Sequence, residues 1–404
     1  MKALRRLITP LILFSSILLA NEKDSSLDHY ISEKKQQQFD FDYDKNEADT
    51  SELRDSWITP IQLNYSISKS NPYTNTQKSQ NAAIKMDQPI FQSGGIYYGI
   101  KFAEHSKKYM DYSIDVAKRK LIKDAIATLM QIKQKDLQIS RQELQIENSE
   151  INLKLKEEQY LNGQLDSGFL DNAIIERNVV IQSLYDIETA KERLISTFTT
   201  LSDLDYKIAT TPHLELLNEE EFLEHNIVLK MAESKMEKDK YSKDVTVAKY
   251  LPQVSLTAGY NWTKTDSTVA VFGALERDYY DYGLRATMPL SINTFRDIES
   301  SRIDYLKSQV ITQDREVELI ALFSQVMHNL KNLDKKKLLS VQNKEIYTKL
   351  LDDTNNLFDA GYKTQYDVDI LKNSVQISEL DSKIFEIDKQ LELLALYEMY
   401  VNEQ

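Results

Sequence analysis

The residue types that usually carry catalysis or hold metals are sparse and scattered in this chain of 404 residues. There is no cysteine, which removes thiol chemistry, disulfides and thiolate-bound zinc. The sequence has no nucleophile elbow, phosphate-binding loop or dinucleotide fingerprint. We therefore expect no enzymatic activity, no cofactor and no metal site. The five histidines form no i, i+4 pair and have no acidic partner at ligand spacing: His29, His105, His213, His225 and His328.

Charged residues gather instead beside two glycine-containing turns. Gly163 and Gly361 each follow a long helical pattern, as expected of helix C-caps that need positive φ. The simplest interpretation of the carboxylates after them is that the helix dipole favours acidic residues at a helix start. The lysine is equally well explained as a solvated turn residue. The charged residues in question are Asp171 after the first turn and Lys363, Asp367 and Asp369 after the second.

The composition favours a helical fold and argues against a nucleic-acid partner. The chain has 50 Lys and Arg against 63 Asp and Glu, a net charge of −13. A nucleic-acid surface needs clustered basic residues, and none stands out, so we expect no nucleic-acid partner. With only 9 Gly and 7 Pro, the chain is poor in the residues that turn-rich β folds and phosphate loops require. Long, uninterrupted helices are favoured.

The first 20 residues are predicted to be a secretory signal peptide. A basic start, with Lys2, Arg5 and Arg6, precedes an apolar run that ends at the small residue Ala20. That run is too short for a spanning helix of about 20 apolar residues.

The remainder of the chain is a tandem repeat of about 200 residues. MDQPI at 86–90 matches ATMPL at 286–290, and YLNG at 160–163 matches FDAG at 358–361. Each copy contains a strand pair, a very long helix, a glycine turn and a returning helix. The predicted division is 1–20 signal peptide; 21–201 first repeat, with strands about 57–68 and 81–91, long helix about 96–161 and return helix about 171–201; 202–218 linker or equatorial segment; and 219–404 second repeat, with strands about 252–262 and 279–290, long helix about 296–357 and return helix about 367–401.

The predicted strands alternate apolar and polar residues with a period of two, and polar loops at 69–80 and 263–278 join them in pairs. Each strand is long enough to cross a bilayer when tilted. Aromatic residues in or beside the strands could form a girdle at a membrane surface, or could pack on a helix in a water-soluble hairpin. The four aromatic candidates are Trp57, Tyr65, Tyr260 and Trp262.

The predicted helices carry two apolar seams. Ile132, Ile139 and Ile146 recur every seven residues, and Met130 and Leu137 begin a second series. The two series lie about 154° apart around the helix. Each helix is therefore expected to pack against two neighbours, in a single layer of helices whose two faces are both exposed to water.

Four strands cannot close a membrane barrel, whose smallest examples have about eight, whereas three chains would supply twelve. At this point the sequence resembles the TolC-type outer-membrane efflux and secretion channel family. The residues that carry the resemblance are the strand entry YLPQVSL at 250–256, the strand exit MPL at 288–290 and the turn LFDAGYKTQYDV at 357–368. The order of elements matches along nearly the whole mature chain.

The resemblance implies a mainly α protein with a small β part. It implies a homotrimer whose twelve-stranded β-barrel sits in outer-membrane lipid and continues into a periplasmic α-helical barrel that narrows at the turns. It also implies a passive duct for a tripartite efflux pump or type I secretion system, working with a periplasmic adaptor (membrane fusion protein) and an inner-membrane pump or ABC exporter. A periplasmic coiled-coil structural or adaptor protein is the alternative, and fractionation would separate the two.

By position, the resemblance also implies a set of constriction residues. The acidic position of the second turn falls on Asp367, the basic one on Lys363 and the aromatic one on Phe358, while the first turn offers Asp171. The first turn is read as two residues longer than the second. A second acidic position after Asp367 is occupied by Ile370, although Asp369 is adjacent.

Overall fold

A computed structural model describes residues 27–73, 75–266 and 275–401. The predicted signal peptide lies outside the described residues. A 3₁₀ turn at Asp28–Tyr30 opens the described chain. The elements that follow are α1 (Glu33–Asp55), β1 (Gln62–Tyr73), β2 (Asn75–Phe91), α2 (Gly95–Leu161), α3 (Ser167–Leu201), α4 (Glu219–Glu224), α5 (Ile227–Lys249), β3 (Gln253–Asp266), β4 (Leu275–Thr287), α6 (Thr294–Asp359) and α7 (Gln365–Tyr397).

The four strands form one antiparallel sheet in the order β1-β2-β3-β4. The first and second repeats therefore meet at the β2–β3 pair. Side chains alternate between the two faces along each strand, so residues paired across the sheet share a face. Tyr65 pairs with Ala82, which pairs with Trp262, and this row fixes the register of three strands. The outer edges of β1 and β4 have no partner strand in the described chain.

The strand bounds differ from those predicted. The first strand begins at Gln62 rather than at 57, so Trp57 precedes the sheet. Pairing of β1 with β2 continues to Tyr73 and Asn75, and most of the segment predicted as a loop at 69–80 is strand. Strands β3 and β4 likewise extend into 263–278. Backbone hydrogen bonds hold these strands together even where the side chains on both faces are polar. Such a stretch shows no apolar alternation, so the sequence pattern did not predict it as strand.

Helices form a single layer, as the two seams predicted. In the half next to the sheet the order is α1-α2-α5-α6, and in the half next to the turns it is α3-α2-α7-α6. At 67 residues, α2 is about 100 Å long. It packs on two neighbours at every level. Where the two halves meet, the best-buried side chains come from several helices and form the core: Phe198, Phe222, Ile126, Leu129, Ile132 and Leu396.

Two of the helix bounds change the interpretation of the turns. Helix α3 begins at Ser167 rather than at 171, and α7 begins at Gln365 rather than at 367. The helical segment that precedes β3 is broken at His225 and Asn226 into α4 and α5. Among the helices that the structure describes, none combines the length and apolarity needed to cross a membrane.

Candidate functional site

The ends of the two long hairpins, furthest from the sheet, are built alike. Gly163 and Gly361 take φ values of 71° and 79°, which favour glycine, and no atom lies within 4 Å of the place a Cβ would occupy. Their conformation, not their size, is therefore what the turns require. Three residues later Asp166 and Thr364 cap the returning helices α3 and α7. We call these two ends the helix-turn tips.

The second helix-turn tip contains a capping box. Asp367 Oδ2 accepts a hydrogen bond from the Thr364 backbone N at 3.0 Å and one from Thr364 Oγ1 at 2.9 Å. Lys363 Nζ lies 3.4 Å from Asp367 Oδ1. The hydrogen bond from the Thr364 backbone is the main reason that the pKa of Asp367 is lowered. The helix-start interpretation of Asp367 thus has a direct structural basis, whatever further role its charge has.

The two helix-turn tips have the same length, so the expectation of a longer first tip is wrong. Gly163 and Gly361 are 198 residues apart, and so are the caps Asp166 and Thr364. At this spacing Asp171 is equivalent to Asp369. Both lie in the fifth position of their helices, where Asp171 is exposed and Asp369 accepts a bond from the amide of Gln365 at 2.8 Å.

One contact that joins the two helix-turn tips could not be seen in the sequence. Tyr366 Oη, at the start of α7, donates to Glu158 Oε1, near the end of α2, at 3.1 Å. The same bond raises the pKa of Tyr366. The partners are separated by 208 positions, and no local pattern marks them. Phe358, the predicted aromatic member, lies nearby at the end of α6 and is partly exposed.

Of the four predicted girdle residues, the sheet brings three together. Tyr65, Tyr260 and Trp262 occupy one face, where Tyr260 pairs with Tyr280 of β4 and Tyr65 and Trp262 flank Ala82. Trp57 is not part of this group, because it precedes β1 and is half-buried, with its carbonyl oxygen accepting a bond from the Gln88 amide. Apolar residues continue this face on both edge strands: Leu63, Ile67, Tyr282 and Leu284.

The opposite face of the sheet is polar and carries paired charges. Arg285 Nη1 lies 2.7 Å from Asp87 Oδ2, which bridges β4 and β2 across the intervening strand. Asn261 Nδ2 donates to Asp281 Oδ1 at 2.8 Å. Gly259 makes room for that carboxylate, because a Cβ there would lie 2.7 Å from it. The sheet is therefore amphipathic, with aromatic and aliphatic side chains on one face and hydrogen-bonded polar groups on the other.

No group of three or more His, Asp or Glu residues is placed to hold a metal ion within the described ranges. The helix-turn tips and the amphipathic sheet, at opposite ends of a helical layer about 100 Å long, are the two features with a functional geometry.

Comparison with known proteins places this geometry in a class. Residues 219–381, from α4 into α7, match the sequence model of the family described as "Outer membrane efflux protein". No curated protein sequence matches the chain. Among solved structures, the CmeC outer membrane channel of Campylobacter jejuni superposes with a TM-score of 0.71 at 12% identity, over 94% of this chain and 86% of that one. The outer membrane protein VceC of Vibrio cholerae gives 0.70 at 14% identity, over 93% and 95%. The MtrE outer membrane channel of Neisseria gonorrhoeae, in its open state, gives 0.66 at 12% identity, over 92% and 86%.

The second repeat thus resembles the outer membrane efflux protein family over residues 219–381. The fold is that of outer-membrane channels along nearly the whole chain. The predicted fold class is confirmed, and the match of residues 219–381 agrees with the predicted family resemblance.

Proposed function

We propose that the chain is the outer-membrane exit duct of a tripartite efflux pump or type I secretion system, and that it works as a homotrimer. Its cargo, small molecules or protein, would pass through the assembly without chemical change. The family match and the channel fold support this proposal. The observation that supports it most strongly is that both sides of the described chain end in strands and helices without an outer neighbour.

The two sides of the chain carry different, complementary kinds of open edge. One side presents β1 with α1 and α3, and the other presents β4 with α6 along its whole length. Exposed apolar side chains lie on both sides, including Ile175 on α3 and Ile346 on α6. Two different edges that meet head to tail make a heterologous contact, which generates a ring when the rotation closes. Three copies would supply twelve strands, an even number in the range of outer-membrane barrels.

The faces of the sheet fit such a ring. Closure would turn the face with Tyr65, Tyr260 and Trp262 toward lipid and the face with Asp87 and Arg285 toward a wet lumen, which is the alternation that membrane barrels require. The strands have 12 to 17 residues, more than the 9–11 or so that cross a bilayer when tilted. Pairing of β1 with a neighbouring β4 would also cover edges that otherwise expose unpaired backbone groups.

The helix-turn tips would form the inner end of the duct. Three copies would bring together carboxylates of Asp367, Asp369 and Asp171, beside Lys363 and Phe358, around a narrow opening. The Tyr366–Glu158 bond would hold the two hairpins of each copy together there, and its release would let the opening widen. That the MtrE structure of similar fold is an open state fits a tip that has two positions.

The length of the helical layer suggests the partners. Helices α2 and α6, at 67 and 66 residues, would extend about 100 Å from the outer membrane into the periplasm. At that distance the helix-turn tips would meet a periplasmic adaptor (membrane fusion protein) and an inner-membrane pump or ABC exporter.

Site-directed labelling tests the topology, because the chain has no native cysteine. We expect Asp266→Cys, at the far end of β3, to react with a membrane-impermeant maleimide on intact cells. Asp166→Cys, at the first helix-turn tip, should react only after the outer membrane is permeabilised. Heat-modifiable trimers in the outer-membrane fraction should accompany this pattern. Soluble periplasmic material, or labelling of Asp166→Cys on intact cells, would contradict the proposal.

A further inference from the structure

Charged side chains on one face of the sheet are confined to one end. Strand pairing puts alternate residues of all four strands on the face that carries Tyr65, Tyr260 and Trp262, here called the aromatic face. From the helices as far as the row of Tyr260, this face has no charged residue in the described strands. Its charged residues all lie further from the helices, toward the turns that join the paired strands: Lys69, Lys78, Lys264, Asp266, Glu276 and Asp278.

Two lysines at this end face each other across the β1–β2 pair. Lys69 is paired with Lys78, and the Cα atoms of such a pair are about 5 Å apart. Lys264 of β3 lies one row nearer the helices and diagonal to Lys78, a separation of about 7–8 Å. Like charges directly opposite each other destabilise an antiparallel pair. An anion held between the ammonium groups would therefore stabilise this end of the sheet.

The nearby carboxylates on β4 are already bonded within the chain. Glu276 Oε1 accepts a hydrogen bond from Trp262 Nε1 at 2.9 Å, and Glu276 Oε2 lies 3.5 Å from Lys264 Nζ. Asp278 Oδ2 accepts a hydrogen bond from Tyr260 Oη at 3.0 Å. These bonds hold the carboxylates beside β3, so they do not reach the lysine pair on β1 and β2.

The lysine pair has no partner of its own. Lys69 and Lys78 make no hydrogen bond or ion pair with any residue that the structure describes. Asp266 is the register neighbour of Lys78 on β3, but the two side chains form no ion pair. Lys69 is exposed and Lys78 is half-buried. Both ammonium groups can therefore bind a ligand from outside the chain.

The lysine pair lies at the depth of lipid headgroups. In the proposed orientation, the aromatic side chains sit where hydrocarbon meets water. Lys69 follows Tyr65 on the same face of β1, about 13 Å along the strand and about 10 Å along the membrane normal when the strand is tilted. A lysine at this level keeps its stem against apolar surface and its ammonium among the headgroups. Within the described strands, no basic residue lies at the other end of the aromatic face, so the arrangement applies only to the outward-facing leaflet.

We propose that Lys69 and Lys78, with Lys264 beside them, bind a phosphate group of a phosphorylated glycolipid in the outward-facing leaflet of the outer membrane. The inference rests on the proposed function and adds a lipid partner to it. Each ammonium is a point charge with N–H donors that suit phosphate oxygens, and basic residues at a membrane surface attract anionic headgroups. The acyl chains of the lipid would lie along the apolar part of the aromatic face, against the exposed pair Leu63 and Ile84.

Lipid binding by the purified protein tests the proposal without any mutation. In native mass spectrometry, the unmodified protein should retain bisphosphorylated lipid A at least about tenfold better than lipid A from which both phosphates have been removed. Inorganic phosphate in large excess should not displace the lipid, because the acyl chains also contribute to binding. Equal retention of the two lipids would overturn the proposal. Displacement by inorganic phosphate would overturn the lipid as the source of the anion.

Charge variants with a matched control locate the site. Lys78→Gln should weaken binding of bisphosphorylated lipid A about fivefold, and Lys69→Gln/Lys78→Gln at least about tenfold. Lys69→Arg/Lys78→Arg keeps both charges and should bind within about twofold of the unmodified protein. The matched control is Lys85→Gln, because Lys85 is exposed on the same strand but on the opposite, polar face, and lipid binding should not change.

The outcomes separate this inference from the function on which it rests. Unchanged lipid binding in Lys69→Gln/Lys78→Gln would overturn the inference, and so would an equal loss in Lys85→Gln. A less stable trimer with unchanged lipid binding would mean that the lysines pair instead with carboxylates of the next copy. If the double glutamine variant does not assemble, the lipid preference of the unmodified protein and of the arginine variant decides. If Asp266→Cys is not labelled on intact cells, the proposed orientation itself fails.

Discussion

Tyr366 and Glu158 join the two helical hairpins at the end of the molecule furthest from the sheet. The tyrosine hydroxyl donates to the carboxylate at 3.1 Å, from the first turn of α7 to the last turn of α2. Each hairpin is otherwise closed by its own glycine turn and its own helix cap. This bond is therefore placed to decide whether the two helix-turn tips stay together or separate.

Removing the hydroxyl should loosen the tips without unfolding the helices. We expect Tyr366→Phe to raise single-channel conductance severalfold in planar bilayers and to make cells leak large, normally excluded antibiotics. Tyr362→Phe is the matched control, because Tyr362 lies in the same turn and is 81% exposed. Equal conductance of the two variants would show that the Tyr366–Glu158 bond does not restrain the opening.

The charge of Asp367 and its capping role can be separated. Thr364→Ala removes the side-chain cap of α7 and should cost about 1 kcal/mol of helix stability, visible as faster amide exchange at residues 365–367. It should leave ion selectivity unchanged. Asp367→Asn should reduce cation selectivity and block by divalent cations, because it removes three carboxylates from the proposed inner opening. If both variants alter selectivity alike, the effect comes from helix fraying rather than charge.

The pH dependence of that selectivity follows from the hydrogen bonds to Asp367. They favour the ionised form, so the pKa of Asp367 is lowered. A group whose pKa is lowered in the folded state keeps its charge, and its contribution to stability, above the unfolded pKa and loses both as pH falls through the folded pKa. If these hydrogen bonds outweigh the repulsion among the carboxylates that three copies would bring together, cation selectivity that depends on Asp367 should persist through the pH range where ordinary aspartates titrate. Loss of selectivity nearer pH 5 would point to other carboxylates.

Much of the fold follows from the sequence because its signals are local and repeated. The heptad series that begin at Met130 and Ile132, both buried, predict which side of α2 is covered, and the alternation around Tyr65 and Tyr260 predicts strands β1 and β3. The sequence pattern did not predict the parts of the strands that are held by backbone hydrogen bonds alone. The strands continue through 69–73 and 75–80, where Ser, Lys, Gln and Asn on both faces give no alternation.

The site was harder to predict for two physical reasons. The two helix-turn tips use different residue types as helix caps, Asp166 for α3 and Thr364 for α7. An alignment on acidic residues therefore pairs Asp171 with Asp367, whereas its structural equivalent is Asp369. The contact between Tyr366 and Glu158 depends on how two hairpins pack side by side, and no spacing along the chain encodes that.

The polar face of the sheet offers a test of close packing. A methyl group at Gly259 would lie 2.7 Å from Asp281 Oδ1, so the carboxylate must turn away and lose its bond from Asn261. We expect Gly259→Ala to cost about 1 kcal/mol, measured as a lower temperature for loss of the heat-modifiable band. Gly283→Ala is the control, because its nearest atom, Thr257 Oγ1, is at an ordinary 3.6 Å. The Gly259→Ala/Asp281→Ala double variant should lose less than the two single changes together; simple additivity would contradict the proposed clash.

Asn226, at the break between α4 and α5, combines a helix cap with full burial. Its Oδ1 accepts hydrogen bonds from the backbone N of Val228 at 3.0 Å and of Leu229 at 3.1 Å, and the residue is 0% exposed. Its Nδ2 has no hydrogen-bond partner among the described residues. The oxygen therefore stabilises the start of α5 and the amide nitrogen opposes it, since a buried donor without a partner is costly.

Substitution can separate these two effects. Asn226→Ala should destabilise the protein by about 1–2 kcal/mol, because it removes both hydrogen bonds that the Asn226 side chain accepts at the buried start of α5. Asn226→Ser keeps an accepting oxygen and removes the orphan donor, so it should stay within about 1 kcal/mol of the unmodified protein despite its smaller volume. Asn218→Ala, at the exposed cap of α4, should cost less than Asn226→Ala. Chemical denaturation in detergent measures all three, and amide exchange at Val228 and Leu229 reports the cap directly. A serine variant as unstable as the alanine variant would mean that the Asn226 amide nitrogen has a hydrogen-bond partner, such as an ordered water, and that this bond matters as much as the caps.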